Sequence, residues 1–521
     1  MAHLGSRRTR ALTLPVGLAL TASLGFLPTS AASAAPSDGL PTAAVSTNGP
    51  KLSYVVNTTP VHSTDVVRRA IAAAGGTIVT SHDRIGVIVV HSSNPDFAKT
   101  IRKTPGVESA GATRTAPLRS VATTEEGSTE LLTAEEAAKA AAAAGPGQEP
   151  LEPNQWDMRA IQADEASKIN DGSRSVTVGV IDTGVDDTHV DLKANFSKEQ
   201  SASCVGGVAD TTEGAWRPYP GPTGSDHGTH VAGTIAAARN GIGVTGVAPG
   251  VKVAGIKVSE PGDGFFYTEA VVCGFVWAAE HGIEVTNNSY YVDPWYFNCQ
   301  DDPDQKALLD ALTRATKYAE RKGVLNVAAA GNENYDLNSD SIVDSSSPND
   351  STTGTRTIDP HKCFDIPTQL PGVVTVSATG VKGFKSYYSS FGLGVVDVSA
   401  PGGDKWQIPD TPDGNSSDPV VRGNAGRVLS TVVDGKYGYK QGTSMATPHV
   451  AGVAALLKST HPKATPAQLQ EMLKAQAVNP GCPAKVYNSA GQLIDATTCK
   501  GDSKVNGYYG HGIVNALNAV K

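Results

Sequence analysis

Short apolar blocks, punctuated by Gly, Pro and Asn, divide residues 51–118 into pieces of strand and helix length. Leu52 to Asn57 predicts a strand. Ser63 reads as the N-cap of a helix that runs through Ala74 and stops at Gly75-Gly76. Two more strands are predicted over Thr77 to Ser81 and Ile85 to His91. Asn94-Pro95 opens a second helix, and Pro105-Gly106 turns the chain into a last strand near Val107-Glu108. The order is βαββαβ, a small ferredoxin-like unit that carries no function by itself. Residues 119–150 read as a linker. Within them Thr133 and Glu136 form a capping box before an Ala-rich helix ending near Ala144, and Gly145-Pro146-Gly147 stops it. The plain reading of this stretch is a solvated spacer.

Over residues 151–521 the pattern changes. Val176-Thr177-Val178-Gly179-Val180-Ile181 is a continuous apolar run, as in a parallel strand buried on both faces. Gly228 to Ala238 is a helix of small residues that can pack close to a sheet. Val324 to Gly331 is a strand that narrows to small side chains, and Met445 to Leu457 is a second apolar helix. Strands alternating with helices predict an α/β fold with a doubly wound parallel sheet.

Three polar residues stand at the edges of these elements. Asp182 follows the first strand, His227 precedes the small-residue helix, and Ser444 precedes the apolar helix. A Ser hydroxyl is a weak nucleophile, so a neutral imidazole must take its proton, and a carboxylate must hold that imidazole in the right tautomer. A Ser at a helix N-terminus also meets the positive end of the helix dipole. Singly, such an Asp is a turn residue and such a Ser an N-cap. All three in order, each in an extended motif, point to acyl transfer. The order Asp, His, Ser is that of subtilisin.

Those motifs are Asp226-His227-Gly228-Thr229-His230-Val231-Ala232-Gly233 and Gly442-Thr443-Ser444-Met445-Ala446-Thr447-Pro448-His449. With Ala328-Ala329-Ala330-Gly331-Asn332 and Ala400-Pro401-Gly402, they make the chain resemble a secreted subtilisin-like serine peptidase carrying its inhibitory propeptide. The resemblance covers roughly residues 51–118 and 153–521. It implies Asn332 as an oxyanion donor together with the Ser444 backbone N–H. It implies a substrate groove edged by Ser289, Tyr290 and Tyr291, by Ala329, Ala330 and Gly331, and by Gly264, Phe265 and Phe266. Tyr291 stands where the family usually has Gly, so a narrowed primary pocket or an aromatic-lined outer subsite is expected. A calcium site is also implied, with Asp191 and Asn240 side chains and the carbonyls of Ala238, Ile242 and Val244 as hard oxygen ligands.

Composition adds boundaries. At 521 residues the chain exceeds one ordinary core. A net charge of −8 gives no electrostatic case for nucleic acid or an anionic membrane surface. Arg7, Arg8 and Arg10, the apolar stretch Ala11 to Phe26, and Ala32-Ser33-Ala34 read as a signal peptide over residues 1–34, so export is expected. Export permits disulfides among the six cysteines. Fifteen pairings are possible and the sequence does not choose. Proximity favours Cys482 with Cys499. Cys299 and Cys363, both in insertions near the groove, make a reasonable pair, which leaves Cys204 with Cys273. The insertions run from about Ser197 to Gly224 and from about Asn334 to Gln369. The expectation is a secreted, monomeric serine endopeptidase with a domain at 151–521, acting on proteins or peptides and inhibited by its own propeptide at 51–118. The first cut is expected near Leu118 to Ser120, with a mature N-terminus between Ser120 and Pro153. An exopeptidase and a catalytically silent scaffold are the alternatives.

Overall fold

Strand-forming residues of the N-terminal segment alternate between two burial environments. Tyr54, Val56, Ile88 and Val90 pack on the segment's own helices, Thr64–Ala73 and Phe97–Ile101, while Val55 and Val87 face the other way. The computed structural model describes residues 49–59, 64–115, 129–221, 224–261 and 264–521. The signal segment 1–34, Ser63 and Leu118 to Ser120 lie outside them. Four antiparallel strands, Leu52–Thr58, Gly76–His82, Val87–Ser92 and Val107–Ala112, form one sheet with the first strand flanked by the third and the fourth. With the two helices this is the expected βαββαβ order. The last strand extends four residues beyond Glu108.

The second face of this sheet is covered. Val55, Ile85 and Val87 share a core with Ala307, Leu308, Ala311 and Leu312 of helix Pro303–Arg321. Polar contacts frame the apolar ones. Asn57 Nδ2 donates to the Ala307 carbonyl (2.9 Å), Ser109 Oγ donates to Asp310 (2.6 Å), and Arg314 donates to the Thr58 and Gly86 carbonyls (2.9 Å each). Gly111 permits the close approach, since a Cβ there would stand 2.5 Å from the Asp304 carbonyl oxygen.

The larger sheet has seven strands, in the order Val398–Pro401, Val373–Thr379, Leu325–Ala329, Val285–Asn288, Thr177–Asp182, Lys252–Lys257 and Ala202–Ser203. All neighbours are parallel. Alternate residues feed two cores. Val178, Val180 and Val327 pack with helices His227–Ala236, Thr443–Thr460 and Pro466–Gln476, whereas Ile181, Ile256 and Ala328 pack with helices Thr268–Glu280 and Pro303–Arg321. This is the doubly wound α/β arrangement expected from the alternating pattern. Parallel strands place their C-terminal ends along one edge, where open α/β sheets bind ligands.

The 119–150 stretch is more than a solvated spacer in its described part. Glu130–Leu131 pairs with Lys436–Lys440 as the third strand of a small sheet. The Thr133 capping box forms, and helix Ala134–Ala143 buries Ala140 against a cluster that includes Leu151 and Tyr439. Low sequence complexity hid this, because Ala offers little apolar pattern by which to recognise a buried face. The cysteines join as Cys204–Cys273, Cys299–Cys363 and Cys482–Cys499.

Candidate active site

Asp182 ends the interior strand Thr177–Asp182, and its side chain is fully buried. His227 opens helix His227–Ala236, also fully buried, and its Nδ1 meets Asp182 Oδ1 at 2.8 Å. The same carboxylate oxygen accepts the Thr183 backbone N–H (2.7 Å). A carboxylate in that place fixes the imidazole tautomer with the proton on Nδ1. His230, one turn further on, does other work. Burial pushes its imidazole down to about 3, and its Nε2 lies between the Val428 and Gly438 carbonyls. It is a neutral structural residue.

Ser444 lies in the first turn of helix Thr443–Thr460, which packs against the His227 helix. In this rotamer its hydroxyl donates to the Ser289 carbonyl (3.0 Å), and Ser289 Oγ donates to the Ser444 carbonyl (2.9 Å). The two segments are thereby tied face to face. First-turn N–H groups have no intrahelical acceptor, so the Ser444 N–H is one of the donors that such a terminus offers an anion.

Asn332 follows the strand Leu325–Ala329 through Gly331. Gly331 has φ +96°, and a Cβ there would stand 1.9 Å from the Tyr296 hydroxyl, so only Gly fits this turn. The Asn332 side-chain oxygen accepts from the Thr443 backbone N–H and from its hydroxyl, both at 2.9 Å. That pair of donors assigns the amide orientation and leaves Nδ2 as the donor end. Its backbone N–H donates to Glu333 (2.8 Å).

Ser289, Tyr290, Tyr291, Ala329, Gly331 and Asn332 line one pocket with Ser444, and its volume is only about 20 Å³. Tyr291 packs on Tyr296 (ring centroids 4.5 Å apart), and its hydroxyl accepts from Asn349 (2.9 Å). The pocket also carries two carboxyl groups, Glu333 and Asp365. Burial, with Glu333 nearby, pushes Asp365 well above the ordinary carboxylate value. Ala330 is buried and is not part of the lining. Gly264 turns with φ +70°. Phe265 and Phe266 are buried, with Phe266 stacked on Tyr290 at 4.5 Å. Sequence reasoning missed Thr443, Glu333 and Asp365. Thr443 and Glu333 each adjoin a motif residue, but nothing in the sequence pairs Asp365 with this pocket.

A second cavity of about 730 Å³ shares Asn332 and Glu333 and reaches the buried Lys385. Burial lowers this amine to about 7, with Asp404 pulling the other way. The unfolded chain holds its proton up to about 10.5, the ordinary lysine value. Between these two values the unfolded state binds the extra proton, so stability rises with pH across that window and falls as pH drops through it. Lys385→Met is expected to flatten the rise in thermal melts taken across the window. An unchanged slope would contradict this assignment.

The calcium candidates come together in part. Asp191 Oδ1 accepts from Asn240 Nδ2 (3.0 Å), and Oδ2 accepts from the Val244 N–H and the Tyr437 hydroxyl (3.0 Å each). The carbonyl oxygens of Ala238, Ile242 and Val244 accept no hydrogen bond among the described residues. Asn240 Oδ1 accepts from Ile242 N–H (3.0 Å), so its amide would have to turn to give a cation an oxygen. Among the described residues there is no group of three or more His, Cys, Asp or Glu able to hold a metal.

Comparison with known proteins agrees with this geometry. Residues 173–512 match the profile of the subtilase family. Fervidolysin of Fervidobacterium pennivorans is 31% identical over 329 residues, 62% of this chain and 40% of that protein. Subtilisin NAT of Bacillus subtilis subsp. natto is 33% identical over 303 residues, 58% of this chain and 60% of that protein. The chain thus spans less than two thirds of the length of these relatives. Among solved structures, the epidermin leader peptide processing serine protease of Staphylococcus aureus superposes with a TM-score of 0.64 at 24% identity, covering 90% of this chain and 98% of that one.

Proposed function

The chain belongs to the subtilase family, and on that premise we propose that it is an exported serine endopeptidase, made as a precursor whose N-terminal unit blocks its own groove. The observation that carries the reading is the buried His227–Asp182 pair beside the helix whose first turn holds Ser444. The Ser444 hydroxyl turns from the Ser289 carbonyl toward His227. Its oxygen attacks the carbon of the scissile amide while His227 takes the proton on Nε2. Asp182 accepts the Nδ1–H and stabilises the imidazolium. The former carbonyl oxygen, now anionic, takes hydrogen bonds from Asn332 Nδ2 and the Ser444 N–H. His227 gives its proton to the leaving amine. Water, activated by the same imidazole, then hydrolyses the acyl-enzyme.

The oxyanion role has a separate test. Asn332→Leu should keep labelling of Ser444 by a fluorophosphonate and lose about two to three orders of magnitude in turnover, the loss seen when the matching Asn of a subtilisin is removed. Turnover at the parent rate would remove Asn332 from the mechanism.

The N-terminal unit, seated on helix Pro303–Arg321 with its last strand leading toward the groove, supports an inhibitory role. A calcium ion is held, on this reading, by Asp191, Asn240 with its amide turned, and the carbonyls of Ala238, Ile242 and Val244. It would brace the loop without entering the chemistry. A metal bound only to the folded state raises the melting temperature by linkage. Chelator is therefore expected to lower the melting temperature of the parent but not of Asp191→Ala. Equal melting of both proteins with and without chelator would count against the site.

A further inference from the structure

The chain that leaves the N-terminal sheet makes one set of contacts that the catalytic reading does not use. Thr113 is still held by the sheet, its N–H donating to the Ser53 carbonyl (2.9 Å). The next residue, Arg114, places its guanidinium between two acids of the larger domain. Its Nη2 lies 2.8 Å from Glu269 Oε1 and 3.3 Å from Glu260 Oε1, and the group sits 4.0 Å above the Tyr267 ring centre. Thr115 N–H then donates to Asp350 (2.8 Å). Asp350 adjoins Asn349, which bonds the Tyr291 hydroxyl in the pocket beside Ser444. The segment 113–115 therefore runs from the Glu269 site toward the pocket beside Ser444, and Arg114 precedes a cut near Leu118 to Ser120, which puts it on the acyl side of that cut.

The site is part of the groove wall. Phe266, between Phe265 and Tyr267, stacks on Tyr290, and Tyr267 bridges to Asp293. Glu269 is 1% exposed and Arg114 13%. Burial, the largest effect, works to raise the Glu269 carboxyl, but the Arg114 charge together with hydrogen bonds from Arg114, Thr113 and the Glu269 backbone holds it below its ordinary value. If the N-terminal unit departs, Glu260 and Glu269 lose the cation that they share. A substrate cation restores the pair. Arg suits the site better than Lys, because a planar guanidinium can reach both acids and lie over a ring at once.

We propose that Glu260, Glu269 and Tyr267 form an arginine-selective subsite for the acyl side of peptide substrates, filled in the precursor by Arg114. This rests on the endopeptidase reading and adds a substrate class to it. The test expresses the full chain and assays the processed enzyme, its N-terminus read by sequencing to show that the N-terminal unit has been cut off, on quenched fluorescent peptides. They differ only in one Arg, Lys or Ala stepped through the residues before the scissile bond. At one position Arg should raise kcat/KM over Ala by roughly 10- to 100-fold, the range of hydrogen bonds to charged groups, with Lys between them. Glu269→Gln, and separately Glu260→Gln, should bring the Arg-to-Ala ratio toward one. Cleavage of the Ala peptide with a ratio near one at every position in the parent enzyme would overturn the subsite and leave the endopeptidase reading standing. So would an Arg preference that both variants keep. No cleavage of any peptide would overturn the endopeptidase reading and the subsite together. The parent ratios decide even where a variant fails to fold.

Discussion

Ser444→Ala is expected to lower peptide hydrolysis by about six orders of magnitude, the loss that removing the matching Ser causes in a subtilisin. The size of the effect follows from the site. The first turn of helix Thr443–Thr460 presents one hydroxyl beside the Asn332 amide, and the neighbouring Thr443 is already bonded to Asn332. Removing the hydroxyl leaves the oxyanion donors in place with no oxygen to form the acyl-enzyme. The fold should survive, because Ser289 Oγ still donates to the residue 444 carbonyl. If maturation is autocatalytic, the variant should also remain a precursor. The parent's N-terminus, read by sequencing, should fall between Ser120 and Pro153. A variant that hydrolyses at the parent rate, or a fully active parent that begins at Ala35, would contradict this account.

Asp182→Asn is expected to cost about four orders of magnitude in kcat, by analogy with the same change in another Ser-His-Asp triad. Asp182 Oδ1 accepts both from His227 Nδ1 and from the Thr183 N–H. An Asn that keeps its oxygen toward them no longer carries the charge that stabilises the imidazolium. An Asn turned the other way donates to Nδ1 and puts the imidazole proton on Nε2, where it cannot accept from Ser444. Either way geometry is retained and the base is lost, so KM should change far less than kcat. An equal loss in Asp182→Asn and an unfolded circular dichroism spectrum would mean that the residue holds the fold instead.

Much of this was legible in the sequence because the chemistry sits where apolar patterns stop. Asp182 ends a run of mostly apolar residues, and His227 and Ser444 each open a helix of small residues, so their places at the strand and helix ends followed from pattern. Tyr291 could be read as a narrowing of the pocket, and it packs with Tyr296 where a Gly would leave space. What could not be read depends on contacts between distant segments. Glu269 looks like any acidic residue in a helix's first turn; its pairing with Arg114 spans 155 positions. Asp365 lies in an insertion with no periodicity. The second buried face of the N-terminal sheet was invisible for a related reason, since Val55 and Val87 fit one strand pattern whether the face meets solvent or helix Pro303–Arg321.

The central claim is that Ser444 is the nucleophile of an acyl-transfer site. Labelling with a fluorophosphonate, followed by mass spectrometry of the digested protein, tests it most directly. The account predicts one stoichiometric adduct on Ser444, absent from Ser444→Ala. An active protein that takes no label, or takes it at another residue, would contradict the claim.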